Sequence, residues 1–110
     1  MNEDALERLR PFIYRKSARQ RVILFLLADG WSVGDLVRMS VAELRALKMP
    51  DEIAVDRDNL LVGVHSGPAF VFPNSKVVPH NFYYRLVKAA AIKATGRPMS
   101  YDSFREYICK

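Results

Sequence analysis

Seven consecutive apolar residues, Val22-Ile-Leu-Phe-Leu-Leu-Ala28, stand between a helix-start signal and a helix-stop signal, and they constrain this chain more than any other stretch. Ser17-Ala-Arg-Gln20 precedes them and fits the capping box, in which a serine hydroxyl accepts the amide three residues on and the glutamine reaches back. Asp29-Gly30 follows, glycine supplying the left-handed conformation that closes a helix. Ser32 then opens a second short helix carrying Val33, Leu36 and Val37, and this helical pair is the expected centre of the core. The run is far shorter than the roughly 20 residues needed to cross a bilayer.

The remaining punctuation predicts further helices. Asn2 or Asp4 can cap a first helix with Ala5, Leu6, Leu9, Phe12 and Ile13 on one face, which Pro11 bends or ends within a turn. Ser32-Val-Gly-Asp35 opens a helix to about Met39, and Ser40-Val-Ala-Glu43 opens another with Val41, Leu44 and Leu47 inward. Pro50 starts the next, over Asp51 to Val62, with Ile53, Ala54, Leu60 and Leu61 inward and Asp56, Arg57 and Asp58 on a solvated face. From Gly63 to Ser75 the chain reads as loop, interrupted by Ala69-Phe-Val-Phe72 as a single strand or a buried crossing. Pro79 opens a helix that runs to Thr95 and is closed by Gly96, and Ser100 caps a last helix from Tyr101. The expected fold is mainly α: a compact multi-helix single domain over residues 1–110, with at most one or two short strands.

Charge is distributed unevenly. The net charge is +5, and between Asn59 and Tyr101 no acidic residue occurs, while Lys76, Arg85, Lys88, Lys93 and Arg97 all fall there. A second local group is Arg15, Lys16, Arg19 and Arg21. One-sided positive charge points to a polyanion, most often nucleic acid, the alternative being a solvated basic surface. On the helix from Pro79 to Thr95, Tyr83, Leu86, Val87, Ala90 and Ala94 share one arc, and Asn81, Tyr84, Arg85 and Lys88 share the opposite one. The second arc suits phosphate oxygens.

Other chemistry finds little footing. Cys109 is the one cysteine, so an internal disulfide is impossible and a cytoplasmic location is the default expectation, nucleoid-associated if DNA is bound. His65 and His80 stand apart from any metal spacing. Glycines occur singly, with no phosphate-cradling loop, no Ser/His/Asp order and no paired-carboxylate frame, so neither cofactor nor metal is expected.

From Leu26 to Met39, LLADGWSVGDLVRM, the chain resembles the tyrosine recombinases, the phage-integrase family. Their catalytic domain has an apolar helix, a turn of the form G-x-R-x-x-E-L and a short helix with further leucines. The downstream order is similar too: Phe72-Pro73 after a loop, an amphipathic helix from His80 to Thr95, a glycine, and a helix carrying H-x-x-R, here Asp102-Ser103-Phe104-Arg105. The resemblance covers most of the chain and implies a reduced recombinase core.

The departures from the pattern bear on function. The family's first phosphate-holding arginine falls at Ser32, which cannot offer a charged bidentate fork. The second arginine is kept as Arg105, but Asp102 stands where the family places a proton-handling group. No room exists between Leu47 and Pro50 for the lysine-bearing hairpin. Tyr107 lies two residues from Arg105, on another helix face, and Tyr101 has no base nearby in sequence.

The expectation is therefore a catalytically inactive, integrase-derived DNA-binding protein with a regulatory, architectural or recombination-accessory role. Its expected backbone-contacting residues are Arg15, Lys16, Arg19, Arg21, Lys76, Arg85, Lys88, Lys93, Arg97 and Arg105. The competing expectation is a protein-interaction or oligomerisation module on a truncated recombinase core, partnered by a second copy or by a recombinase or regulator. Trp31 and Phe70-Val71-Phe72 would contribute to its apolar patch, although Trp31 also suits a core anchor under the turn. No membrane partner is expected.

Overall fold

Serine side chains cap the starts of four helices among the described residues. The computed structural model describes residues 3–71 and 76–109, and among them seven helices follow in order: α1 (Glu3–Ile13), α2 (Ala18–Ala28), α3 (Val33–Arg38), α4 (Val41–Ala46), α5 (Asp51–Leu60), α6 (His80–Thr95) and α7 (Tyr101–Ile108). Ser17, Ser32 and Ser40 close full capping boxes with Gln20, Asp35 and Glu43, and Ser100 accepts the Ser103 amide at the head of α7. The Ser32 hydrogen bonds also hold the Asp35 carboxyl below its ordinary range.

Every residue from Val22 to Ala28 is buried. α2 therefore has no solvent-facing stripe along this stretch, and α1, α5, α6 and α7 all pack against it. A single hydrophobic cluster draws side chains from all seven helices, with Trp31 partly buried against it as a core anchor. The helix ends in a Schellman motif: Gly30 has φ +113°, its amide reaches the Leu27 carbonyl at 3.4 Å, and the Trp31 amide reaches the Leu26 carbonyl at 3.0 Å.

Two expectations about the middle of the chain need correction. α5 stops at Leu60 with Leu61 as its C-cap, short of the expected Val62, which is exposed. Asp56 is not on a solvated face: it is buried, with Arg21 Nη1 3.5 Å from its carboxylate. The cause is helical spacing, since Asp56 lies three residues after Ile53 and so shares the inward side. Burial pushes its carboxyl above the ordinary range, against the pull of Arg21. Arg57 also turns inward and donates from Nη1 to the Leu47 carbonyl at the end of α4, 2.7 Å away.

The segment leading to α6 is a buried crossing. Ala69 and Phe70 are buried, and pairing is confined to isolated bridges, Ser40 with Pro68 and Val71 with Val77, so no strand forms among the described residues. Phe72, Pro73 and Ser75 lie outside the described residues. Pro79 is the N-cap of α6, and Gly96, at φ +81°, terminates it with a hydrogen bond from its amide to the Ile92 carbonyl at 2.8 Å.

The core side of α6 carries Tyr83, Leu86, Val87, Ala90 and Ala91. Tyr83 has 0% exposure, and its hydroxyl finds no hydrogen-bond partner among the described residues. Burial raises this phenol to about 12, partly opposed by the positive charge of Arg19. The folded protein then keeps the Tyr83 proton at pH values where the unfolded chain loses it, so stability falls as pH rises from about 10 through about 12. Tyr83→Phe removes an unsatisfied donor and is expected to hold or raise stability near neutrality by up to about 1 kcal/mol. It should also lessen the alkaline loss, as urea unfolding at neutral and alkaline pH would record.

Candidate nucleic-acid interface

The ten cations expected at the interface belong to two different environments. Arg105 is the most deeply engaged. Its Nε donates to the Leu27 carbonyl at 3.1 Å and its Nη2 to the Trp31 carbonyl at 3.0 Å, while Nη2 also reaches the Tyr101 hydroxyl. Its guanidinium carbon lies 4.3 Å from the Tyr101 ring centroid. The Tyr101 hydroxyl donates to the Trp31 carbonyl at 2.5 Å, and burial raises that phenol above its ordinary range despite Arg105 alongside. The Cys109 thiol reaches the Ala28 carbonyl at 3.1 Å, so the end of α2 is held by two side chains of the C-terminal segment, Arg105 and Cys109, and Tyr101 holds the turn beyond it.

The group Arg15, Lys16, Arg19 and Arg21 does not stay together. Arg19 donates from Nη1 to the Val71 carbonyl at 2.9 Å and lies over the Phe82 ring at the start of α6. Arg21, two positions on, faces the opposite way and meets Asp56 of α5. Arg15 is exposed at a left-handed φ of 58° after α1, stacked near its neighbour Tyr14, and Lys16 follows it half-buried.

Arg85, Lys88 and Lys93 of α6, and Arg97 just beyond it, are exposed and form no ion pair among the described residues. Lys76, before α6, is exposed as well. Asn81, Tyr84, Arg85, Lys88 and Ile92 share the outer arc of α6, Lys93 standing further round the helix. Tyr84 and Ile92 are 51% and 47% exposed. Tyr84, Lys88, Met99, Ser100, Tyr101 and Asp102 line a cleft of about 430 Å³ between this arc and the head of α7.

The positions aligned with the recombinase pattern can now be placed. Ser32 caps α3 through its bond to the Asp35 amide at 3.0 Å, and Arg105 grips the carbonyl of Trp31, the residue just before it. Asp102 lines the cleft. Tyr107 is 40% exposed and packs edge-on against Phe12, with ring centroids 5.6 Å apart. Among the described residues, no group of His, Cys, Asp or Glu side chains could hold a metal ion, and no helix is long and apolar enough to cross a membrane. Comparison with known proteins finds no matching family model, no matching curated protein and no matching solved structure.

Sequence reasoning missed a set of arginines that bond to the carbonyls of distant helix ends. Arg8 Nη1 reaches the Ile108 carbonyl at 3.0 Å, and Arg45 Nη2 reaches the carbonyls of Leu61 at 3.0 Å and Val64 at 2.6 Å. These contacts leave no local pattern, because donor and acceptor lie up to 100 positions apart.

Arg105→Lys is expected to lower unfolding free energy by about 2–3 kcal/mol. An ammonium cannot reproduce the fork that reaches two carbonyls, and a hydrogen bond from a charged donor contributes about 1.5–3 kcal/mol. Urea unfolding measures the loss, and a wild-type midpoint would mean that the guanidinium is dispensable to the fold.

Proposed function

We propose that the protein is a catalytically inactive, integrase-derived DNA-binding protein that contacts duplex phosphates through the outer arc of α6. The observation that carries this reading is the exposure of Arg85 and Lys88 on one face beside Asn81, with Lys93 and Arg97 nearby in the chain. No acidic residue interrupts the stretch from Asn59 to Tyr101. Cations and amides arranged in this way position a protein on a DNA backbone and convey no base sequence. The role is regulatory, architectural or accessory to recombination.

The integrase-derived part of the reading rests on the order of elements. An apolar helix, a Gly30 turn, a short helix, a long amphipathic helix and a final helix with Arg105 follow one another as in a recombinase core. Proximity of Arg105 to the turn beside Ser32 is in keeping with it. The inactive part rests on Ser32, a neutral hydroxyl engaged in capping, and on Arg105, whose guanidinium is bonded to backbone carbonyls. Neither is available in this conformation as a fork for a phosphoryl transition state. A protein-interaction or oligomerisation module, held through apolar contacts rather than through Arg85 and Lys88, is the second reading, favoured by the exposed Tyr84 and Ile92.

Duplex DNA titrated at several salt concentrations tests the first reading. With about three or four phosphate contacts, log K should fall against log salt with a slope of about −3 to −4. Arg85→Glu with Lys88→Glu should weaken binding at least about tenfold without moving the unfolding midpoint, because both side chains are exposed. Binding that ignores salt, or no binding at low salt, would sink the proposal. An unaffected protein contact in the same double variant would favour the second reading.

A further inference from the structure

The cleft between α6 and α7 carries a combination of groups that restricts what can occupy it. Its volume, about 430 Å³, falls within the range of about 300–1,000 Å³ found for small-molecule sites. Lys88 supplies a cation and Asp102 an anion, and no ion pair joins them among the described residues. Tyr84 and Tyr101 meet edge to face, with ring centroids 6.5 Å apart and ring planes at 77°. Tyr101 is fixed in place by its hydroxyl bond to the Trp31 carbonyl and by Arg105 over its ring, whereas Tyr84 keeps an exposed surface.

Simple ligands fit this set poorly. A bare phosphate would gain Lys88 and meet the Asp102 carboxylate; a simple cation would gain Asp102 and meet Lys88. An alkyl ligand would leave both charges without a counterpart. The groups are satisfied together by a flat ring with hydrogen-bond donors on one edge and an anion on a short tether. That is the chemistry of a nucleotide: the base stacks on a tyrosine, its donor edge faces a carboxylate, and its phosphate meets a lysine.

We propose that the cleft receives an unpaired nucleotide at the end of a DNA duplex. The base stacks on Tyr84, its Watson–Crick edge donates to Asp102, and its phosphate lies against Lys88. A paired base cannot enter, because its donor edge is taken by its partner and its faces by neighbouring bases. Among the bases, guanine presents adjacent N1–H and N2–H donors that match the two oxygens of a carboxylate, while thymine presents one N–H donor. The proposal rests on the reading of α6 as a DNA-binding face: from the docked nucleotide the backbone would continue past Arg85.

Fluorescence anisotropy with the full chain tests it, using a labelled short blunt duplex and the same duplex carrying a single 3′ guanine or thymine. The guanine overhang should bind about tenfold more tightly than the blunt duplex, and more tightly than the thymine overhang. Tyr84→Ala should bring the ratio of overhang to blunt affinity to about one, and Tyr84→Phe should retain it, because stacking needs the ring and not the hydroxyl. Asp102→Asn should erase the preference for guanine over thymine. A wild-type overhang advantage below about threefold, with salt-dependent binding of the blunt duplex intact, overturns the cleft proposal and leaves the α6 reading standing. Failure to bind either duplex overturns both.

Discussion

The last turn of α2 is buried on all sides, and its carbonyls must find donors among the groups packed around it. In α2 this requirement is met in full. Asp29, Gly30 and Trp31 amides return to Phe25, Leu27 and Leu26, and Arg105 and Cys109 supply side-chain donors to Leu27 and Ala28. An unsatisfied buried carbonyl costs about 1–3 kcal/mol, so the packing of α7 against α2 is a polar necessity as well as an apolar one. The position of α7 in turn sets that of Tyr101 and Asp102, and so one wall of the cleft beside α6.

The same device recurs across the fold. Arg8, Arg45 and Arg57 each donate to carbonyls at or just beyond the end of another helix, and Arg19 donates to the crossing segment at Val71. Guanidinium suits this task because its planar array of donors satisfies several carbonyls without losing charge, and cations are favoured at helix C-termini. Serines thus hold the starts of several helices, and arginines the ends of several. One consequence is electrostatic: part of the basic character evident from composition is committed to internal bonds. The surface charge that remains for a partner lies mainly on and around α6.

How much of this was legible in the sequence follows from the range of each interaction. Ser17, Ser32, Ser40 and Ser100 were readable as caps because the cap and its acceptor amide are three residues apart, and Gly30 and Gly96 because a left-handed φ is a local demand. The two faces of α6 followed from periodicity alone. Asp56 was misread because a charged residue flanked by charges looks solvated, and only α2 packed against α5, with Arg21 opposite, makes it an inward group. Arg19, Arg21 and Arg105 appeared as surface cations for a related reason: residue type reveals a donor, but its acceptor is chosen by tertiary packing. The cleft was equally hidden, since Tyr84 and Tyr101 meet only after the chain reverses between α6 and α7.

The cations of this protein fall into two sets, one bonded within the fold and one exposed on and around α6, the set proposed to face a phosphate backbone. Arginine Nε–H and backbone amide resonances, followed by NMR as duplex DNA is added at low salt, report on both sets at once. Shifts are expected to concentrate at Asn81, Arg85, Lys88 and Lys93, with the Arg105 Nε–H resonance unmoved because its acceptor is the Leu27 carbonyl. A moving Arg105 resonance with an undisturbed α6 would contradict this division.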